Sequence, residues 1–284
     1  MLRSGTTLLE AKSGYGLDTK TELRMLQAIS LVAKKAPIEI SPTFCGAHAV
    51  PKGTTPEMAV NDVCTRQIPA IKHALSSENP DFDVENVDVF CEKGVFTVEQ
   101  TREILRTAQR HLPGIRLNFH GDELHPTGSA ELGAALNATA VSHLEEISDA
   151  GIEAMADKEV IGVILPTTAY MLRLKSPPVR KMIEAGVPIA LGSDFNPNAY
   201  CYSMPMVMHL ACCLFGMSLE ESLVAATLNA AASIGRGKTH GALAIGRNAD
   251  VLCVNVPRWE HFVYRFGCHR ELITAVFKDG RLVE

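Results

Sequence analysis

The sequence predicts an α/β protein built on a parallel, barrel-like sheet, with a small β appendage at its C-terminal end. Three observations predict it. Short apolar runs alternate with helical stretches, the rhythm of right-handed βα units. The runs are nearly unalternated, as in strands buried on both faces. Chemistry-bearing residues recur where the runs end, and in a parallel barrel those ends share one mouth. An open doubly wound sheet has the same rhythm, but no GxGxxG or GxxxxGK(S/T) loop follows any strand.

Seven strands are expected before residue 195. The first is Thr6 to Lys12, stopped by Ser13-Gly14-Tyr15-Gly16; Asp18 then caps a helix through Glu22 to Ala33. The second is Glu39 to Cys45, leading into Gly46-Ala47-His48, followed by a helical region from Pro56 to about Ser76 and a loop from Asn79 to Asp83. The rhythm then tightens. Strands at Val87–Cys91, Ile115–His120, Ala140–His143 and Val160–Pro166 are followed by helices at Thr97–His111, Ser129–Leu136, Ser148–Ala156 and Val179–Ala185. Pro188 to Asp194 is the seventh strand. Helical patterns cover Met204–Phe215, Ser218–Leu228 and Asn229–Ile234. The Gly241 to Asp250 stretch breaks the rhythm and leads to Val251–Val254; Ile273–Phe277 and Arg281–Val283 form a hairpin across Lys278-Asp279-Gly280. The expected division is a barrel over 1–240 and a β unit over 241–284.

Composition bounds the function. The 284 residues suffice for one large domain, and 46% hydrophobic residues is ordinary for a globular chain. A net charge of −5 argues against a nucleic-acid partner but allows a small anionic substrate. No run approaches the roughly 18 apolar residues of a membrane span, and the N-terminus has no apolar signal core. Eight cysteines without a CxxC pair read as buried reduced thiols, which points to the cytoplasm.

The strand ends, in order, carry Tyr15, His48, Cys91-Glu92, His120 with Glu123, His143, Thr167-Thr168, and Asp194 with Asn196. Each has a structural alternative. His143 fits a helix start, Asp194 an N-cap or Asx turn before Asn196-Pro197, and Glu123 a surface carboxylate. Together at one mouth they describe a metal or acid–base site: His120, His143 and Asp194 are of the type that binds a divalent metal or moves protons. A bound metal brings the pKa of water from 15.7 to about 7, and Asp194 suits the proton so released.

Six segments carry a resemblance: Lys12–Leu17, Gly46–Pro51, Asp88–Glu92, His120–Glu123, Ser142–Leu144 and Ser193–Pro197. In their order and combination they resemble the imidazolonepropionases of the amidohydrolase superfamily, and Gly241–Asp250 is similar to that superfamily's entry into its C-terminal β-sandwich. The resemblance implies a (β/α)8 barrel, here incomplete because its first strand is lacking, plus the remnant of a small β-sandwich. It implies hydrolysis of the cyclic amide of 4-imidazolone-5-propanoate to N-formimidoyl-L-glutamate in histidine degradation. One divalent metal, zinc or iron, would be held by His120 and Asp194. Tyr15, His48, Glu123 and Asn196 match substrate-binding positions. Glu123, His143 and Asp194 match catalytic ones: metal-bound hydroxide attacks the ring carbonyl, His143 helps stabilise the oxyanion, and Asp194 passes a proton to the leaving nitrogen. The resemblance also implies a homodimer for the full-length protein. A related cyclic deaminase, or a non-catalytic isoform acting through binding, is the alternative.

Two departures stand out. Asn198 and Ala199 replace the family's usual Gly and Ser or Thr, in a loop that contacts the product carboxylate. No H-x-H pair occurs in the 284 residues, whereas family members carry one on the first barrel strand, followed by a substrate-binding Arg. The expectation is an N-terminally shortened form with half a metal site, two unpaired sheet edges and little activity of its own.

Overall fold

A computed structural model describes residues 1–77 and 81–284. Of the expected loop from Asn79 to Asp83, Asn79 and Pro80 lie outside the described residues.

All seven expected strands form: β1 (Leu8–Lys12), β2 (Glu39–Ala47), β3 (Asn86–Cys91), β4 (Arg116–Gly121), β5 (Ala140–His143), β6 (Ile161–Ile164) and β7 (Ile189–Leu191). They make one parallel sheet in sequential order, β1 through β7, whose first and last strands are not paired with each other. Central strands β2, β3 and β4 are almost wholly buried, as unalternated apolar runs require, whereas every residue of edge strand β1 is only half-buried. This is the incomplete (β/α) barrel that the sequence predicts.

Helices follow the strands. They are α1 (Thr19–Lys35), α2 (Pro56–Asp62), α3 (Ile68–Ser76), α4 (Val98–His111), α5 (Ser129–Ala135), α6 (Asp149–Asp157), α7 (Pro166–Leu172) and α8 (Val179–Glu184). After β7 come α9 (Met204–Phe215), α10 (Leu219–Ala226) and α11 (Leu228–Ser233). Their starts are set by side chains: Asp18, Thr97, Ser148 and Ser218 each accept from a backbone N–H one turn on. Thr97 with Gln100 and Ser218 with Glu221 form reciprocal capping boxes.

The structure refines one element expectation and corrects another. The helical region from Pro56 to Ser76 forms as expected, with helical backbone throughout. A π-helical turn at Val63–Gln67 separates α2 from α3, because Pro69 has no N–H to give and its ring crowds the carbonyl four residues earlier. Thr167 and Thr168 do not end β6; they lie in the first turn of α7, which Pro166 starts from its first position.

The small sheet, β10-β9-β8, is antiparallel and comprises β8 (Val251–Val254), β9 (Ile273–Lys278) and β10 (Arg281–Leu282). Asp279 and Gly280 have φ of 51° and 74°, as a two-residue turn with both centres left-handed demands. Two four-residue helices, α12 (His261–Tyr264) and α13 (His269–Leu272), precede β9 without an expectation from sequence; so short a segment shows no period. Lys278 ties this sheet to the barrel, lying 3.2 Å from Glu39 at the start of β2 and 3.1 Å from Asp250. Arg236 and Arg116 close the same end of the barrel on Glu39 and Glu85, with contacts of 2.9 and 2.6 Å. That end is therefore a structural ion-pair network.

All eight cysteines are free thiols, but only Cys45 and Cys91 are buried and Cys213 is exposed, so the buried reading holds for part of the set. Among the described residues no helix is long and apolar enough to cross a membrane.

Candidate active site

A cavity of about 1230 Å³ opens at the C-terminal ends of the strands, and Tyr15, His48, His120, Glu123, His143, Asp194 and Asn196 all line it. Most of its lining is apolar, from β1, β7, α11 and the small sheet. Among the described residues, Lys12 is the one lysine or arginine on its lining. Cys91, Glu92 and Thr167, the other strand-end residues, do not line it, whereas Thr168 does.

Neighbouring strands deliver the rings in sequence. Parallel pairing sets Phe90 beside His120 and Gly121 beside His143. The result is a row of rings: Tyr15 to His48 at 5.8 Å, His48 to His120 at 5.7 Å, and His120 stacked on His143 at 5.1 Å. Phe90 covers His120 edge-on at 5.6 Å.

Behind the row stand buried carboxylates that the sequence reading gave no role. Asp88 on β3 accepts from His120 Nδ1 at 2.8 Å and from the His120 backbone N–H at 3.1 Å, while its other oxygen meets Lys12 Nζ at 2.7 Å. Burial alone would raise the Asp88 pKa, but the His120 and Lys12 partners hold it well below the usual carboxylate range. Glu22 accepts from the backbone N–H groups of Gly14, Gly16 and Leu17, at 3.0, 2.8 and 2.9 Å, and so shapes the loop that carries Tyr15. Asp122 does the same for the loop after β4, accepting from Thr127, Gly128 and Ala130. In one dimension such residues are ordinary acids of a strand, a helix and a loop; spacing alone does not single them out.

Glu123 is buried, not a surface carboxylate. Burial raises its pKa, against the pull of His143 and His120. His143 is also buried and does not cap a helix; its Nε2 lies 3.6 Å from Glu123 and its Nδ1 3.8 Å from Glu145. Burial disfavours the imidazolium, yet the Glu145, Glu123 and Asp194 carboxylates outweigh it and push the pKa up to about 9. His48 goes the other way, lowered by burial and by His120.

Asp194 follows β7 with φ of 45°. Thr168 Oγ1 donates to its Oδ2 at 2.5 Å, and Asn196 Nδ2 donates to its carbonyl oxygen at 2.7 Å. Asn196 also accepts from the Asn198 and Ala199 N–H groups, at 2.7 and 3.2 Å, so the two departures from the family pattern sit in a loop that Asn196 itself folds.

The donor set falls short of a metal site. With Nδ1 on Asp88, His120 has Nε2 left for a ligand, and Asp194 is the second donor. An open catalytic zinc takes three protein ligands, and among the described residues no three His, Cys, Asp or Glu side chains come together to hold an ion.

The amidohydrolase family matches residues 1–283. The chain is 58% identical to a probable imidazolonepropionase of Nematostella vectensis, 56% to one of Danio rerio and 54% to one of Homo sapiens, in each case over all of its own length. It spans 65%, 64% and 66% of those relatives. Among solved structures, a guanine deaminase from C. acetobutylicum with bound guanine superposes over the whole chain and 73% of its own, with a TM-score of 0.75 at 17% identity. A zinc-bound adenosine deaminase from Xanthomonas campestris superposes over 99% of the chain and 66% of its own, with a TM-score of 0.69 at 15% identity.

Proposed function

Because the chain belongs to the amidohydrolase family, we propose that it carries the substrate-binding and proton-handling part of an imidazolonepropionase site. The reaction is hydrolysis of the cyclic amide of 4-imidazolone-5-propanoate. Water adds to the ring carbonyl, the C–N bond breaks, the leaving nitrogen takes a proton, and N-formimidoyl-L-glutamate results. The observation that carries this reading is that seven residues of that family's pattern line one cavity, in a chain 54% or more identical to three proteins bearing that name.

Tyr15 and His48 border the mouth and contact the substrate, His48 as a neutral ring because its pKa is lowered. His143, whose pKa of about 9 keeps it protonated at neutral pH, offers a hydrogen bond to the oxygen that gains charge. Glu123, beside His143, exchanges protons with the water or the ring. Asp194 passes the proton to the leaving nitrogen. Zinc or iron, once bound in a complete site, supplies an activated water. This chain contributes His120 and Asp194 to that site, too few to hold the metal alone. A small-molecule substrate, a cytoplasmic setting and a homodimer of the longer protein belong to the same proposal.

The test is calorimetric binding of 4-imidazolone-5-propanoate to the chain, with guanine as the competing ligand, alongside ring opening measured with zinc or iron. Binding of the imidazolone that weakens roughly tenfold in Tyr15→Phe or His48→Ala is expected. Preference for guanine, or ammonia release from it, would overturn the proposal.

A further inference from the structure

One buried acid beside the cavity is not explained by the roles above. Glu145 is 1% exposed, and neither of its side-chain oxygens accepts a hydrogen bond from any described residue. Apart from Glu123, which faces His143 Nε2 at 3.6 Å, the other buried acids near the site are met by donors: Glu22 by three backbone N–H groups, Asp88 by His120 and Lys12, Glu92 by Leu124 and His125, Asp122 by the loop after β4. An isolated buried carboxylate is strongly unfavourable. Among the described residues, the one ion-pair contact of Glu145 is with His143 Nδ1, at 3.8 Å. His143 Nδ1 is in the same position, buried with no hydrogen-bond partner. Each is the other's recourse.

The backbone is bent to bring them together. His143 and Leu144 have φ of 77° and 69°, two successive left-handed residues that are not glycine. The bend is held by Leu144 N–H on Gly121 O at 3.1 Å, by Glu146 N–H on Asp122 O at 2.7 Å, and by a fully buried Leu144 side chain. The chain doubles back after β5, and the residue two beyond His143 lands against the ring edge remote from Glu123.

We propose that Glu145 is a positioning residue for His143: its carboxylate takes the Nδ1–H and so turns Nε2 toward Glu123 and the cavity. For its kinetic consequence the proposal rests on the ring-opening reading; for its geometry it does not.

The test is nuclear magnetic resonance of the full chain with 15N-labelled histidine, His143 being assigned by H143Q. The wild type should show an exchange-protected Nδ1–H of His143, and E145L should lose it while the other histidine signals stay. Persistence of that signal in E145L overturns the proposal. If E145L does not fold, E145Q decides: its neutral acceptor should move the Nδ1–H resonance upfield, and an unmoved resonance overturns the proposal. Where ring opening is measurable, E145L should lower kcat by roughly 10- to 100-fold with KM nearly unchanged; a loss carried by KM alone overturns it. Absence of ring opening in the wild type defeats the functional reading instead, and the resonance then decides on Glu145.

Discussion

Asp88 and His143 show how much of this site is decided by single buried charges. Asp88 satisfies two cations at once, His120 when protonated and Lys12 always. Asp88→Asn leaves Lys12 facing Glu10 alone, and the loss of a buried partner is expected to cost about 3 kcal/mol in urea denaturation. Unchanged stability would mean that solvent screens Lys12 fully. For His143 the sign follows from its pKa. A folded value of about 9 lies above the ordinary 6.5, so the folded state binds the proton more tightly than the unfolded chain. The stabilisation is complete below pH 6.5 and is lost as pH rises through about 9, and is on the order of 3 kcal/mol at most. His143→Gln should flatten the fall in stability between those pH values; an unaltered slope would assign it to other groups.

At the scale of elements, the strand ends carry the strain. Asp122, His143, Leu144 and Asp194 are all left-handed without being glycine, a conformation that costs roughly 1–2 kcal/mol each and aims side chains that a straight strand would carry past the mouth. Gly121, between His120 and Asp122, is tight for another reason: a Cβ there would stand 2.2 Å from Ser129 Oγ and 2.6 Å from its Cβ. Gly121→Ala should destabilise by about 1–3 kcal/mol and disturb His120, read by thermal unfolding. Thr97→Ala, in a capping box far from the cavity, should cost about 1 kcal/mol and leave ligand binding intact. Equal effects of both on binding would show that the mouth senses global stability only.

At the scale of the molecule, β1 and β7 are the two edges of an unclosed sheet, and the cavity runs along both. Unpaired parallel edges invite another strand, so sedimentation should show association that grows with concentration; a monomer at every concentration would mean that the small sheet and α11 protect the edges well enough. Zinc titration should reach less than one ion per chain, in line with two donors where three are needed; a full equivalent held after dialysis would show that further donors move in.

The seven strands, their order, the capped helices and the seven cavity residues were legible because they rest on local signals: period, end residues and the position of a polar side chain just past an apolar run. The π turn at Val63–Gln67 and the start of α7 rest on Pro69 and Pro166, whose effects on the backbone are visible in sequence but were outweighed by the surrounding pattern. Asp88, Glu22, Asp122 and Glu145 were not legible in role. A carboxylate's meaning depends on what faces it once water is excluded, and that is set by which strands become neighbours and how their ends bend. Sequence alone determined where the chemistry-bearing groups sit along the chain. Only the tertiary structure decided that Asp88 holds His120 and that the buried Glu145 carboxylate lies 3.8 Å from His143 Nδ1, because burial and pairing belong to the packed molecule.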